Sequence, residues 1–352
     1  MEKQGRAKNV KLKLLYLQKV FLTQTDEEHR LGVPELCKAL QDMGVTVERK
    51  GVYRDIDTLI AYGMDIRLTQ TGYYLASREF ENSELRLLVS AVQAASFISE
   101  PRSHALANKL LGLTSVAQAD AIRRQTNIGG VKCLGDEIFH TIETVNYAIA
   151  HGCRLSFFYI KQDISKRNVV QRSGQSFHVT PYAMIWMQDR YYLVANMNER
   201  DNLTHFRLDR IQNANPEYEK ARPCGEVSEY AVRFDAADYA KKCVNMFGGE
   251  VIRITLRGEM RLVSDILDRF GQDTVLQRDP GSDNHFLAYV QAASGVGFLS
   301  WVAQYGAALE ILTPAPLREE MRKRTLLACA MYEPSCAQAA ADGIMPSDGE
   351  NA

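Results

Sequence analysis

Ten residues near the N-terminus carry the pattern that best defines the fold: Glu48-Arg49-Lys50-Gly51-Val52-Tyr53-Arg54-Asp55-Ile56-Asp57. Val52, Ile56 and the following Leu59 recur every three to four residues, which predicts a helix that buries one face. The opposite face carries four candidate DNA-binding residues, Arg49, Lys50, Tyr53 and Arg54. Arginine bonds guanine edges, and lysine and tyrosine hold phosphates, so the helix suits a DNA major groove. A charged face turned to solvent is the alternative.

The elements around this helix predict a small DNA-binding domain. One amphipathic helix includes Leu14, Leu17 and Phe21, and a second begins near Pro34 and ends before Gly44. After the third helix, two short runs alternate around a glycine-containing turn, which is typical of a β-hairpin. Three helices followed by a hairpin is the order of elements in a winged helix-turn-helix.

The charge balance agrees with a local nucleic-acid surface. The chain has 352 residues, 46% of them hydrophobic and 24% charged, as in soluble globular proteins of two or three domains. Its net charge of -1 excludes a uniformly basic coat protein. The first 54 residues nevertheless contain 11 basic and 7 acidic side chains, an excess of positive charge where a phosphate backbone would lie.

The rest of the chain divides by its hydrophobic periodicity. A helical pattern over 80–127 predicts a packing or dimerisation spacer, and a series of short strands from 155 to 208 predicts a small barrel. Residues 215–247 show no regular pattern, and 250–331 follow the order β-α-β-β-α-β of a ferredoxin-like unit. The predicted domains are a DNA-binding domain at 1–78, a helical spacer at 79–135, a barrel at 136–215, a ferredoxin-like domain at 228–332 and a disordered tail at 333–352.

Three motifs resemble one known family. They are Val52-Tyr53-Arg54-Asp55-Ile56-Asp57, Tyr191-Tyr192-Leu193 and Phe206-Arg207-Leu208-Asp209-Arg210-Ile211. Together they are similar to the WYL-domain transcriptional regulators of bacteria. The resemblance implies a multidomain α+β protein with a winged helix-turn-helix, a helical spacer, an Sm-like small β-barrel (the WYL domain) and a ferredoxin-like C-terminal extension. Tyr191 stands where the family has tryptophan, and Trp186 in the preceding strand is a candidate to share that role.

The resemblance also implies an effector site in the barrel, and several relatives are thought to sense nucleic acid or nucleotides there. Aromatic side chains stack on bases and arginine pairs with phosphate, so the residues agree with that ligand class. The candidate effector-binding residues are Tyr159, His178, Tyr182, Tyr192, His205, Arg207 and Arg210. In a continuous strand Arg207 and Arg210 would face opposite ways. We therefore expect Arg207 to bind the ligand and Arg210 to form a structural ion pair. A half-buried sheet surface without a ligand is the alternative.

The sequence lacks the motifs of common enzymes. It has no HExxH pair, no phosphate-binding Walker loop and no G-x-S-x-G turn, so we expect no catalytic residues, metal or cofactor. The seven cysteines include no CxxC, which indicates reduced thiols. The N-terminus lacks an apolar leader and no segment is long enough to span a membrane, which predicts a cytoplasmic protein.

These observations predict a bacterial transcription regulator that binds a double-stranded DNA operator as a homodimer. Its effector is expected to be single-stranded nucleic acid or a nucleotide. The alternative is a nucleic-acid-binding accessory protein whose barrel binds RNA or single-stranded DNA as its main task. A third interpretation, an enzyme, requires turnover of a nucleotide.

Overall fold

The computed structural model describes residues 10–332, except 46, 127–131, 133–136, 166, 172 and 173. The chain forms two compact units, Met1–Phe139 and His140–Ala352. The predicted tail at 333–352 lies outside the described residues. The side chains of Val10 and Lys11 also lie outside them.

The first unit begins with three helices and a hairpin, as the sequence predicts. Its elements are α1 (Val10–Gln24), α2 (Val33–Asp42), α3 (Arg49–Tyr62), β1 (Ile66–Thr69) and β2 (Gly72–Leu75). Leu17, Phe21, Val52 and Ile56 are buried in one core between the helices. Gly63 ends α3 in a left-handed conformation, with φ of 112°.

The hairpin is anchored by the close approach of two backbones. Leu31, just before α2, forms a β-bridge with Tyr73 of the hairpin. Gly72 has φ of +144°, and a Cβ there would lie 2.6 Å from the carbonyl carbon of Leu31. Only glycine combines this conformation with this contact. The position of the hairpin beside α2 therefore depends on Gly72.

A bundle of three helices completes the first unit. These are α4 (Asn82–Ala94), α5 (Glu100–Leu111) and α6 (Val116–Gln125), around a core that includes Leu85, Val89 and Ile122. Ser115, the N-cap of α6, donates a hydrogen bond to the buried carboxylate of Asp26 after α1. The predicted spacer is therefore joined to the first helix by a buried polar contact.

The second unit contains a strongly curled sheet. After α7 (Ile138–His151), the strands are β3 (Cys153–Gln162), β4 (Asn168–Val170), β5 (Phe177–Met187), β6 (Arg190–Met197), β7 (Leu203–Arg207) and β8 (Ile211–Lys220). The sheet runs β4-β3-β5-β6-β7, and β8 also pairs with β3. A 3-10 turn at Leu208–Arg210 carries the chain from β7 to β8, so the sheet curls into a half-barrel. Phe157, Tyr159, Phe177 and Phe206 pack edge to face or stacked inside it.

Two details of this sheet differ from the sequence-based prediction. The segments expected as separate strands at 177–179 and 182–186 form one strand, β5, with a bulge between Pro181 and Ala183. The expectation of irregular structure from 215 was wrong for β8, which continues to Lys220 with Pro216 opposite Leu155. Its proline and asparagine residues resemble a loop in composition, but pairing with β3 overrides that tendency.

The C-terminal part of the second unit has the predicted order β-α-β-β-α-β. After α8 (Ala236–Lys242), its elements are β9 (Val251–Glu259), α9 (Val263–Phe270), β10 (Val275–Arg278), β11 (His285–Ala293), α10 (Val296–Ala303), β12 (Leu309–Thr313) and α11 (Ala315–Tyr332). The four strands form an antiparallel sheet in the order β10-β11-β9-β12. Leu256, Phe286, Phe298 and Trp301 are buried between the sheet and its helices.

Candidate functional site

The four predicted DNA-binding residues share the exposed face of α3. Arg49, Lys50, Tyr53 and Arg54 are exposed, and Tyr53 keeps 48% of its surface accessible. Among the described residues, none of the three cations on this face forms an ion pair or a side-chain hydrogen bond. The helix therefore presents positive charge that the protein does not neutralise.

The hairpin lies beside this face. Burial raises the pKa of Tyr73, and the nearby Tyr53 and Asp57 of α3 raise it further. Arg30, which the sequence analysis did not single out, donates to Thr71 Oγ1 in the hairpin turn at 3.3 Å, and its guanidinium lies 5.5 Å from the Tyr74 ring centre. An arginine just before the helices that the sequence predicts to bind DNA is a candidate phosphate contact, and its position before α2 was the available signal.

Two arginines share one carboxylate at the end of β7, because Arg207 and Arg190 both pair with Asp209. With Arg210, whose positive charge acts on the Tyr159 hydroxyl as that of Arg207 does, they form what we call the arginine cluster. Arg207 donates to Asp209 through Nε at 3.0 Å and through a terminal nitrogen at 2.6 Å. Arg190 lies 3.7 Å from the same carboxylate, whose side chain is only 9% exposed. The hydrogen bond to Asp209 raises the pKa of the Arg207 guanidinium.

The ion pair that the sequence-based prediction gave to Arg210 is made by Arg207 instead. Arg207 forms the structural ion pair, whereas Arg210 forms none with the residues that the structure describes. The reason is local, because the strand ends at Arg207 and the 3-10 turn that follows returns Asp209 to the Arg207 side chain. The expectation of a continuous strand through Arg210 was wrong.

Two predicted tyrosines accompany the arginine cluster. Tyr192 lies directly opposite Arg207 in the β6–β7 pairing. Tyr159 is buried, which raises its pKa, and its hydroxyl accepts a hydrogen bond from the Arg207 backbone N–H at 3.0 Å. Tyr191, in the position of the family's tryptophan, contacts Trp186 edge to face with ring centres 6.4 Å apart. Tyr159 therefore has a structural contact, and Tyr192 is the tyrosine on the strand pair that carries the cluster.

His178 lies in a different part of the barrel. It lines an open cleft of about 540 Å³ together with Arg154, Phe158 and Ser176, and none of the other six candidate effector residues lines it. The His178 Nδ1 is 2.6 Å from Glu217, and its Nε2 is 2.9 Å from the Ser176 hydroxyl. Arg154 is paired with Glu217 and Glu219. These carboxylates offset the positive charge of the cleft.

Tyr182 and His205 are held by the chain that follows the barrel. The Tyr182 hydroxyl donates to the carbonyl of Arg222 at 2.9 Å, its ring stacks on Phe234, and burial raises its pKa to about 12. The His205 Nε2 is 2.9 Å from the hydroxyl of Tyr239, and burial lowers the pKa of His205 to about 4. The seven candidate effector residues therefore occupy three places, and only the arginine cluster concentrates cations.

Family comparisons agree with the motifs. Residues 140–216 match the model of the WYL domain, and residues 250–326 match that of the WCX domain. These matches confirm the resemblance to the WYL-domain transcriptional regulators, because the chain contains both a WYL domain and a WCX domain. A search of the curated proteins found no match.

Two solved structures illustrate how far the likeness extends. Proteasome accessory factor B/C (PafBC) of Arthrobacter aurescens is 19% identical, and the match covers 94% of this chain and 51% of that one, with a TM-score of 0.27. A CRISPR Cas-related protein is 15% identical, with 71% of this chain and 72% of that chain covered and a TM-score of 0.34. The chain thus spans about half the length of the PafBC structure.

The described ranges contain neither a membrane-spanning helix nor a group of side chains suited to a metal ion. None of the helices there combines the length and the apolar character needed to cross a membrane. Within the same ranges, no three histidine, cysteine or acidic side chains are placed to hold a metal ion together.

Proposed function

We propose that this protein is a DNA-binding transcription regulator with an effector site in its WYL domain. In this proposal α1–α3 and the β1–β2 hairpin act as a winged helix-turn-helix. The curled sheet acts as an Sm-like barrel, and the C-terminal sheet as a ferredoxin-like domain. The protein acts by binding, without catalysing a reaction and without a cofactor.

One observation carries the DNA-binding part of this proposal. The face of α3 that carries Arg49, Lys50 and Arg54 is exposed, and these cations form no ion pair among the described residues. An exposed helix with free cations enters a major groove without first breaking ion pairs. The WYL and WCX domain matches support the same assignment.

The arginine cluster supports the effector part. Arg190 and Arg207 share a single carboxylate and Arg210 has no ion pair among the described residues, so the cluster keeps a local excess of positive charge. Guanidinium groups bind phosphate bidentately, and the adjacent Tyr192 offers a ring for stacking. The ligand class that fits is a single-stranded nucleic acid or a nucleotide. The acidic surroundings of the His178 cleft suit such an anion less well.

Homodimerisation is the remaining part of the proposal. A single winged helix makes too few base contacts for a useful specificity ratio in a genome, and a two-fold dimer doubles them. We expect an inverted-repeat operator with half-sites about one helical turn apart.

Genome-wide mapping of bound sites by the full chain tests the proposed function. We expect discrete promoter sites for the wild-type protein and their loss in an Arg49→Ala/Arg54→Ala variant. Footprints at those sites then report whether two half-sites are bound. Sequence-indifferent binding of single strands, with no promoter sites, would instead identify an accessory protein of nucleic-acid metabolism.

A further inference from the structure

The chain between the barrel and the C-terminal sheet, residues 221–250, is held from both sides; we call it the connecting segment. On the barrel side, His205 contacts Tyr239 and the Tyr182 ring stacks on Phe234. On the other side, Arg269 of α9 donates to the carbonyls of Lys241 at 3.3 Å and Cys243 at 2.8 Å, at the end of α8. The connecting segment therefore contacts both the curled sheet and the C-terminal domain.

Part of its contact with the C-terminal domain is made directly between backbones, while the Val244 side chain packs into the core of that domain. A Cβ on Gly295 would collide with the carbonyl oxygen of Gly248, and one on Gly297 with the carbonyl oxygen of Val244. The two backbones therefore approach each other closely at these points. Because packed interiors transmit small displacements, a shift of residues 244–248 must move the start of α10 as well.

A strained turn lies within the same stretch. Asn245 and Met246 have φ values of +55° and +54°, in the left-handed region that methionine rarely adopts. The side-chain amide of Gln188, in the β5–β6 turn of the barrel, donates to the Asn245 side-chain oxygen. Strained conformations of this kind persist only where their surroundings hold them. The turn therefore depends on its contact with the barrel.

The arginine cluster lies next to this contact. Arg207 and His205 are two positions apart on β7, so their side chains lie on the same face of the strand. Tyr192 and Val194 are their opposite neighbours on β6, and Val194 is buried together with Tyr239 and Met246. A ligand bound at Arg207 would therefore lie beside the place where the connecting segment covers the sheet.

We propose that the connecting segment couples the arginine cluster to the C-terminal domain, and that the His205–Tyr239 contact holds it against the barrel. A phosphate-bearing ligand at the cluster changes this contact and thereby displaces α10. His205 and Tyr239 are positioning residues in this account. The identity of the ligand rests on the proposed function, whereas the contact itself is a property of the chain alone.

Cys243 provides a native probe of the contact. Its thiol is 1% exposed and lies at the end of α8, and burial raises its pKa. We expect Tyr239→Phe, in the full chain, to make iodoacetamide modify Cys243 about fivefold faster. This factor corresponds to the loss of one partly buried hydrogen bond. Because the Tyr239 hydroxyl lowers the pKa of Cys243, its removal alone would slow the reaction. An increase therefore reports displacement of the segment.

Two references accompany this measurement. Tyr289→Phe, on the outer face of the C-terminal sheet, removes a hydroxyl from an exposed tyrosine and is expected to leave Cys243 at its wild-type rate. Cys153, in β3, is expected to react equally in all three proteins. A wild-type rate at Cys243 in Tyr239→Phe would overturn the proposal, as would equal acceleration at Cys153, which would indicate general loosening.

A second measurement adds a ligand probe, a single-stranded oligonucleotide of ten deoxythymidines. We expect it to change the Cys243 rate in the wild-type protein and to bind Tyr239→Phe without changing the rate there. Binding to the wild-type protein with no change at Cys243 would overturn the coupling. Failure to bind would contradict the nucleic-acid effector of the proposed function, and the Tyr239→Phe rate would still decide whether the contact holds the segment.

Discussion

The exposed face of α3 and the end of β7 are both rich in arginine, yet their arginines are in opposite situations. On α3, Arg49 and Arg54 form no ion pair among the described residues. On β7, Arg207 is bound to Asp209 by two hydrogen bonds, and Arg190 shares the same carboxylate. The first group is available to an external phosphate, while the second also maintains the fold.

The comparison shows in which kind of element a group of charged residues is enough to predict a binding surface from the sequence. A helix places neighbours three and four residues apart on one face, so the free face of α3 follows from its periodicity. In the barrel, the partners of an arginine come from a turn or from another strand. Asp209 neutralises Arg207 because the chain turns there, which the residue types by themselves do not reveal.

The largest expected effect is on the stability of the barrel. Asp209→Asn removes the only carboxylate that Arg207 and Arg190 contact in the described part of the chain. Leaving partly buried cations unpaired is expected to lower the free energy of unfolding by about 3 kcal/mol. Urea denaturation measures this change in the free energy of unfolding. Asp201→Asn is the matched control, because Asp201 is 88% exposed in its pair with Arg222 and should change stability by less than about 0.5 kcal/mol.

The pH dependence of stability tests the structural role of His205. Its pKa is about 4 in the folded protein, against 6.5 for an ordinary histidine. Between these values the unfolded chain binds a proton that the folded chain does not, so stability falls as pH drops from 6.5 to 4. Over this pH range the free energy of unfolding falls by about 3 kcal/mol in total. The neutral ring bonds the Tyr239 hydroxyl and a backbone carbonyl at Met246, so both of its nitrogens have partners.

Denaturation of wild-type protein and His205→Gln at pH 7 and pH 5 measures this difference. The variant is expected to lose less stability over the interval, because it lacks the titrating group. Equal slopes in wild-type and His205→Gln would show that His205 does not stay neutral in the folded chain.

A smaller effect is expected for the α3 face, and on a different quantity. Arg49→Ala should weaken binding to a bound promoter site by about 2 kcal/mol, since it removes a base or phosphate contact. Its free energy of unfolding should stay within about 0.5 kcal/mol of wild type, because the side chain is exposed and unpaired. Fluorescence anisotropy measures the affinity for the promoter site, and urea denaturation measures the free energy of unfolding. A loss of stability comparable to that of Asp209→Asn would remove the contrast between the two regions.

The smallest change is expected for Arg210→Ala in the barrel. Arg210 has no ion pair among the described residues, so its removal should leave stability within about 0.5 kcal/mol. It should nevertheless weaken binding of a ten-residue deoxythymidine probe, because a free cation is lost from the cluster. Titration of the full chain measures the affinity, and an unchanged value would remove Arg210 from the effector site.

The sequence predicts the regular parts of this molecule well for physical reasons. Val52, Ile56 and Leu59 mark the buried face of α3 by their spacing, and Gly63 and Gly44 mark helix ends by their conformation. β8 was missed because Pro216 and its polar neighbours resemble a loop until β3 is present to pair with them. α8 was missed for a related reason, because its contacts with the barrel are made with residues distant in the sequence.

The candidate sites divide in the same way. The α3 residues share one face because a local repeat places them there, whereas Tyr182 and His205 lie under a segment that begins more than ten residues later. Their aromatic and polar character is the same for packing and for ligand binding, so sequence could not separate the two roles. Arg207 and Asp209 are only two residues apart, but their ion pair depends on the 3-10 turn that follows Arg207, which the residue types do not show.

The salt dependence of binding to double-stranded promoter DNA tests the central claim most directly. Each cation that neutralises a phosphate contributes about one to the slope of the logarithm of affinity against the logarithm of salt concentration. We expect Arg54→Ala to reduce this slope by about one and Arg207→Ala to leave it unchanged, in full-length protein. An unchanged slope for Arg54→Ala together with a reduced slope for Arg207→Ala would contradict the assignment of DNA binding to α3.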